Sequence, residues 1–342
     1  MTLNYYPKNG HSGASPGATA MGSSWRQRHV STRLSSPCVW VNGELVPVED
    51  TSAQVLNPAL HYGPGALEEI RCYQTRRGPA VFRLEDHLQR FLQATRALGV
   101  NDLRYTLLDL RRAVHVTVQV NNFSDCTVRP ALYFEPGLEP HTETYHPTIA
   151  IVAGDWHDRD DDALKGQGVS AIVSSFDQVQ ANVETGRGNF DGQLASAITG
   201  RSLARDAGVD VAILLDPHGY VAGCAGQALF TVYDGVAYTP PQAAALTDVA
   251  RNTALTLLQD SGVRVVEDAR LTRERLHAAD ELFLCSVASE VVPVRTIDGR
   301  DVGDGQSGPV ARSLQQLYAD TARGHGRRSR GWLEYVMMEP LF

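Results

Sequence analysis

Imine chemistry needs a lysine amine, and this chain supplies two, Lys8 and Lys165. Lys8 stands in "MTLNYYPKNGHSGASPGATAMGSSW", rich in Gly, Ser, Pro and Thr without hydrophobic period, so the segment is expected to be disordered. Lys165 stands in the acidic run "DWHDRDDDALKGQG". Thiolate chemistry fares no better. Cys38, Cys72, Cys126, Cys224 and Cys285 make no CxxC or Cys/His spacing, which argues against a disulfide framework and a zinc site. Cys224 and Cys285 lie in apolar, strand-like contexts with no histidine near in sequence and read as core filler rather than nucleophiles. The glycine-rich "GRGNFDG" lacks the Gly-Lys-Ser/Thr ending of a P-loop and the GxGxxG spacing of a dinucleotide fold. Acid–base and ion-pairing chemistry remains, carried by carboxylates, histidines and an abundance of arginine.

Those groups must be positioned by ordinary globular cores. The 342 residues, 43% hydrophobic and 20% charged, suffice for two packed domains or one large one. The net charge of −8 and the lack of a basic stripe interleaved with aromatics argue against a nucleic-acid partner; "RGHGRRSRG" is too short to change that. No apolar run approaches membrane-spanning length and the N-terminus lacks a signal peptide's apolar core, so a cytoplasmic protein without membrane contact is expected.

The element pattern is α+β throughout. "CVWVNGELVPV" alternates about an Asn-Gly pair and predicts a hairpin. Leu84, Leu88, Phe91, Leu92, Thr95 and Leu98 fall at helical spacing, with Gly99 as C-cap. "TVRPALYFEPG" and "PTIAIVAGDW" read as strands. The second half runs from strand "VSAIVSSF" through helix "SAITGRSLARDAG" to strands "DVAILLD", "YVAGC" and "ALFTVYDGVAYTPP". No internal repeat is visible. The expected organisation is a disordered extension over 1–37, a small N-terminal α+β domain over 38–155, an interdomain linker over 156–167, a larger C-terminal α+β domain over 168–322 and a tail over 323–342.

"WVNGELVPVED", "ALHYGPGALEEIRCYQ", "GPAVFRLEDHLQR", "GVDVAILLDPHGYVAGCAGQALF" and "ADELFLCSVASEVVPVRTIDGRDVGDGQSGPV" together resemble the branched-chain aminotransferases, class IV aminotransferases of PLP fold type IV. Similarity runs from about Cys38 to about Tyr318. The resemblance implies two α+β domains with an interdomain cleft, and a homodimer in which the "HYG" loop, with Tyr62, closes the partner's site.

The same resemblance implies PLP held on a lysine, and here the chain departs from it. Counted without gaps from the flanking strands, the lysine position falls on Asn189; matched by the look of "GRGNF", it falls on Thr185. Neither side chain forms an imine. The glutamate that bonds the pyridine nitrogen corresponds to Gly223, and the phosphate cup's glycine and threonines to Asp248, Ala250 and Val287. An aspartate about 4 Å from a unit negative charge costs on the order of 4 kcal/mol at an effective dielectric of about 20. Arg90 matches the family's phosphate arginine, left to serve another anion or to cap its helix.

On the substrate side, a Phe-Glu-Gly reads Leu67-Glu68-Glu69, making Glu69 a new carboxylate at the cleft. Arg129 matches an arginine that helps hold the substrate carboxylate, Thr127 replaces a tyrosine, and after Trp156 another pocket tyrosine becomes Arg159, flanked by His157. The expected function is PLP-independent acid–base or electrophilic chemistry on a small polar or carboxylate-bearing metabolite. Glu69, Asn189, Arg159 and His157 are the catalytic candidates, with Tyr62, Arg90, Arg129, Thr127, Trp156 and Thr185 binding substrate; no cofactor and no metal are expected. Two alternatives stand beside it: a non-catalytic homologue that binds a metabolite or protein partner, and a residual PLP-binding enzyme. The same pocket residues are also compatible with a solvated ion pair on a loosened loop.

Overall fold

The computed structural model describes residues 36–51, 65–134, 146–155, 165–177, 194–216, 218–224, 226–240, 248–268 and 270–337. The first hairpin joins β1 (Cys38–Val41) to β2 (Glu44–Pro47) in register Val41↔Glu44. Its two turn residues, Asn42 and Gly43, have φ of 46° and 104°, the left-handed values that a tight hairpin demands and that Asn-Gly tolerates. β3 (Gly65–Leu67), β4 (Ile70–Thr75) and β5 (Gly78–Phe82) follow, then helices α1 (Leu84–Ala97) and α2 (Leu107–Val120). Leu84, Leu88 and Phe91 are buried on one face of α1, and Gly99 beyond its C-cap has φ of 85°. α2 begins with a capping box in which Thr106 and Asp109 satisfy each other's backbone N–H groups.

β6 (Cys126–Phe134) and β7 (Pro147–Asp155) complete this half. The rest comprises β8 (Val169–Asp177), α3 (Leu194–Ala207), β9 (Val211–Leu215), β10 (Val221–Cys224), β11 (Ala228–Tyr233), β12 (Val236–Thr239), α4 (Val249–Asp260), β13 (Val265–Glu267), α5 (Arg273–His277), β14 (Glu281–Ser286), β15 (Glu290–Ile297), β16 (Arg300–Asp301), α6 (Pro309–Ala322), α7 (Ser329–Trp332) and β17 (Leu333–Tyr335). Among the described residues these strands form two sheets, one ordered β17-β5-β4-β6-β7-β1-β2 with β3 on β6, the other β10-β9-β8-β15-β14-β11-β12-β13 with β16 on β15.

One expectation is corrected here. The segment 323–342 is not simply a tail, because Leu333 pairs with Phe82 and Tyr335 with Ala80, extending the N-terminal sheet by a strand. The chain therefore ends its described course on the domain where it began. The reason is apolar: Trp332 meets Phe82 edge-on at 5.8 Å, and the Arg83 guanidinium lies 4.8 Å from the Trp332 ring centroid.

A core cluster spans both sheets, with Tyr73, Ala80 and Phe82 from the first packed among Phe230, Phe283, Leu314 and Tyr318 of the second half. Arg83 ties the halves further, donating to the Thr253 hydroxyl at 2.9 Å. Among the described residues no helix is long and apolar enough to cross a membrane. Because Phe82 is 3% exposed at this junction, Phe82→Ala should remove about 3–5 kcal/mol of stability. Urea unfolding should show an earlier midpoint in one shared transition; an earlier transition confined to the N-terminal half would contradict coupling through this core.

Candidate functional site

The turn between β3 and β4 sends two adjacent carboxylates to opposite sides. Glu68 lies beneath α1, its side chain 1% exposed, while the Glu69 side chain is 27% exposed. His87 and Arg90 stand three apart on α1 and so share a face. Both reach Glu68: Arg90 donates from Nε to Oε2 at 2.7 Å and from Nη2 to Oε1 at 2.5 Å, and His87 Nδ1 lies 2.9 Å from Oε1. Burial by itself would raise the Glu68 pKa, but the Arg90 charge and the bonds from His87 and Arg90 outweigh it and hold the group below its ordinary value. Arg90 is correspondingly protonated more firmly than usual, again against its own burial. It stands in the body of α1, not its last turn, so it does not cap the helix.

Across the crevice, α4 opens with Asp248 as N-cap, whose Oδ1 accepts from the Ala250 N–H at 2.8 Å. A helix N-terminus concentrates positive partial charge and unpaired N–H donors, and here the chain's own carboxylate answers them. The Asp248 charge also contributes to Arg90's raised pKa. Ala250 is buried, and Val287 packs against the core that joins the domains. Gly223 sits at an irregularity of the β9–β10 register with φ of 150°, and a Cβ there would lie 3.3 Å from the Gln227 carbonyl. The backbone is shaped for glycine at that point. Burial pushes the Cys285 thiol well up and Cys224 is buried too, consistent with core filler.

The crevice side of the first sheet carries Thr127, Arg129 and Arg71. Arg129 Nη2 donates to Glu69 Oε1 at 3.4 Å, a loose contact between half-buried groups. Glu69 is therefore not a carboxylate isolated in an apolar cleft; it faces an arginine. Arg71, opposite Thr127 in the β4–β6 register, donates across the crevice to the Ala288 carbonyl at 3.3 Å. Around that junction, Thr127 Oγ1, Arg129 Nε and Gln227 Oε1 are buried without a hydrogen-bond partner among the described residues. Such orphans cost free energy unless a ligand or water answers them.

Asn189, Thr185, Tyr62, Trp156, His157 and Arg159 lie outside the described residues. Of the sequence candidates, the structure brings Glu69 and Arg129 together, makes Asp248 the N-cap whose side chain accepts from the Ala250 N–H, and sets the Asp248 charge close enough to act on Arg90. It adds Glu68, His87 and Arg71, which sequence reasoning passed over. The available signal was Arg90 three residues after His87 on the buried face of α1, since a buried arginine calls for an anionic partner.

The Amino-transferase class IV family model matches residues 65–297. The chain is 34% identical over 299 residues to a branched-chain-amino-acid aminotransferase of Pseudomonas aeruginosa, covering 87% of this chain and 97% of that protein. It is 34% identical over 309 residues to that of Escherichia coli K12, covering 89% and 99%. It superposes at a TM-score of 0.82 on the T.th. branched-chain amino acid aminotransferase with pyridoxamine 5'-phosphate, 34% identical, covering 88% and 99% of the two chains. The chain belongs to the class IV aminotransferases, within the branched-chain aminotransferase family.

Glu68 tests the site's framework. Replacing it by Gln leaves Arg90 buried without its counter-charge, which should cost about 3–5 kcal/mol near neutral pH. Because the folded pKa of Glu68 is lowered, its contribution is present above its unfolded value of about 4.3 and is lost as pH falls through the folded value. Denaturant titrations from pH 7 to pH 3 should therefore show the gap between the parent and Glu68→Gln narrowing below about pH 4; a gap of constant size would mean that the charge carries none of it.

Proposed function

We propose that this chain does not run PLP-dependent transamination and that its crevice performs proton transfer on a small carboxylate-bearing metabolite. The observation that carries this reading is the Asp248 carboxylate at the N-terminus of α4, bonded to the Ala250 N–H at 2.8 Å. A phosphate dianion there would meet a carboxylate in place of a free amide, and Arg90, the cation facing it, is already spent on Glu68. Gly223 offers no carboxylate to a pyridine nitrogen, and Val287 no hydroxyl to a phosphate. These residues do not fit the cofactor, so no step is assigned to it. In Asn189 or Thr185 the lysine's place is taken by a side chain that forms no imine.

The chemistry left to the chain begins with Arg129, which holds the substrate's carboxylate by charge-assisted bonds. Once that anion draws Arg129 away from its 3.4 Å contact, Glu69 is released to take a proton from the bound molecule and return it. Thr127 and Gln227, whose buried oxygens are unanswered among the described residues, supply the polar contacts that orient it. A two-fold dimer, which the resemblance implies, belongs to the same proposal. A second reading keeps PLP noncovalently; its support is the 34% identity over 97% of an aminotransferase and the retained Arg90.

The protein should purify colourless, borohydride should trap no cofactor, and added PLP should bring no transamination of leucine, isoleucine or valine. Asn189→Lys alone should not restore it, because the cup and the pyridine partner remain changed. Cofactor absorbance in the native protein would favour the second reading. For a turned-over substrate, Glu69→Gln should lower turnover by roughly 10²-fold, with Arg129→Ala acting mainly on binding; unaltered turnover in Glu69→Gln would remove Glu69 from the chemistry.

A further inference from the structure

Glu69, Arg71 and Tyr73 alternate along one face of the chain entering β4. Arg71 closes the crevice on the Ala288 carbonyl, and Tyr73, four residues or about 13 Å beyond Glu69, opens into a separate cavity of about 420 Å³ beside α6. That volume suits a small metabolite.

The floor is a buried polar group with unusual backbone. Glu290 has φ of 57°, a left-handed conformation that a non-glycine residue holds only when its surroundings enforce it. Its Oε1 accepts from the Tyr73 hydroxyl at 3.1 Å and its Oε2 from Lys165 Nζ at 2.8 Å. Lys165 is thus no free linker amine; it is built into a cavity wall. Gln315 fastens that wall by donating to the Lys165 carbonyl at 2.8 Å and the Val291 carbonyl at 3.0 Å.

The side wall is a stripe of α6 and the residue that caps it. Arg312 stands at one end and Arg323 at the other, with Gln315, Gln316, Ala319 and Ala322 between them. The small side chains of Ala319 and Ala322 leave the groove open toward its Arg323 end. Both arginines are exposed at the rim; Arg312 is steered by the Ser307 carbonyl, and Arg323 Nη1 is 3.9 Å from Asp125, too far for a strong pair. Among the described residues, Lys165 and the two arginines line the cavity with one carboxylate, Glu290. Eleven residues of helix set the two arginines about 16 Å apart at the backbone, so their guanidinium forks hold the carboxylates of one small ligand by turning inward along the groove.

We propose that this cavity is a second binding site, apart from the Glu69/Arg129 crevice, for a small metabolite bearing two or more carboxylates. The ligand's carboxylates dock on Arg312 and Arg323. Glu290 keeps its own charge paired with Lys165 and leaves the arginines to the ligand.

Citrate is the probe, titrated calorimetrically into the full chain at low salt. Saturable binding at one site per chain is expected, weakened at least about tenfold in Arg312→Gln/Arg323→Gln through loss of both forks. A control pair of exposed arginines elsewhere, Arg270→Gln/Arg300→Gln, should bind as the parent does. Thermal unfolding of each variant should match the parent without citrate, since all four side chains are solvent-facing. Inorganic phosphate should compete at least about tenfold more weakly. Absent or non-saturable citrate binding, equal binding in the Arg312/Arg323 pair, or equal weakening in the control pair would each overturn the site. Phosphate binding as tight as citrate would overturn the polycarboxylate class.

Discussion

The buried carboxylate of Glu68 is the group on which the rest of the site depends. A charge taken out of water is tolerable only when paired and hydrogen-bonded, and Glu68 secures both from one helix through His87 and Arg90. This fixes the rotation of α1 against the first sheet and, with it, the turn that sends Glu69 the other way. It also decides what Arg90 is free to do. An arginine whose fork is matched by one carboxylate has little left for a second anion.

Opposite it, Asp248 performs at α4 what a bound anion does at many helix starts. The free N–H groups and the dipole favour negative charge, and a side chain that reaches Ala250 satisfies that demand from within the chain. Glu68 and Asp248 thus act on the same region from two sides. The fold is that of the branched-chain aminotransferase family, and among its described residues Thr127 Oγ1, Arg129 Nε and Gln227 Oε1 are buried without a hydrogen-bond partner.

The two halves are held in register by apolar contact more than by charge. Phe82 meets Tyr73, Tyr318 and Trp332 at ring-centroid distances of 5.6–5.9 Å, joining both sheets and the returning C-terminal strand. Because Tyr73 also forms part of the cavity beside α6, the packing that seals the domains shapes that second pocket. Rigid placement of Arg71 between the two spaces follows from the same junction, with its guanidinium 5.0 Å from the Tyr73 ring centroid.

By itself, the sequence determined the local elements and the family. The Asn42-Gly43 hairpin, the helix beginning at Leu84, and the strands of both halves follow from turn chemistry and hydrophobic period, which are properties of near neighbours. Motif order also led to the expectation that Gly223, Asp248, Ala250 and Val287 stand at the family's cofactor positions. Pairing was hidden. Glu68 and Glu69 are adjacent and chemically alike, and only the fold reveals that one is buried under α1 while the other faces Arg129, 60 residues away. Lys165 looked like linker charge until the tertiary structure set it against Glu290, 125 residues on. The segment after Arg323 looked like a tail because a three-residue strand has too little period to announce itself. Electrostatic partners and short edge strands are chosen by three-dimensional proximity and desolvation, and neither quantity is written in local spacing.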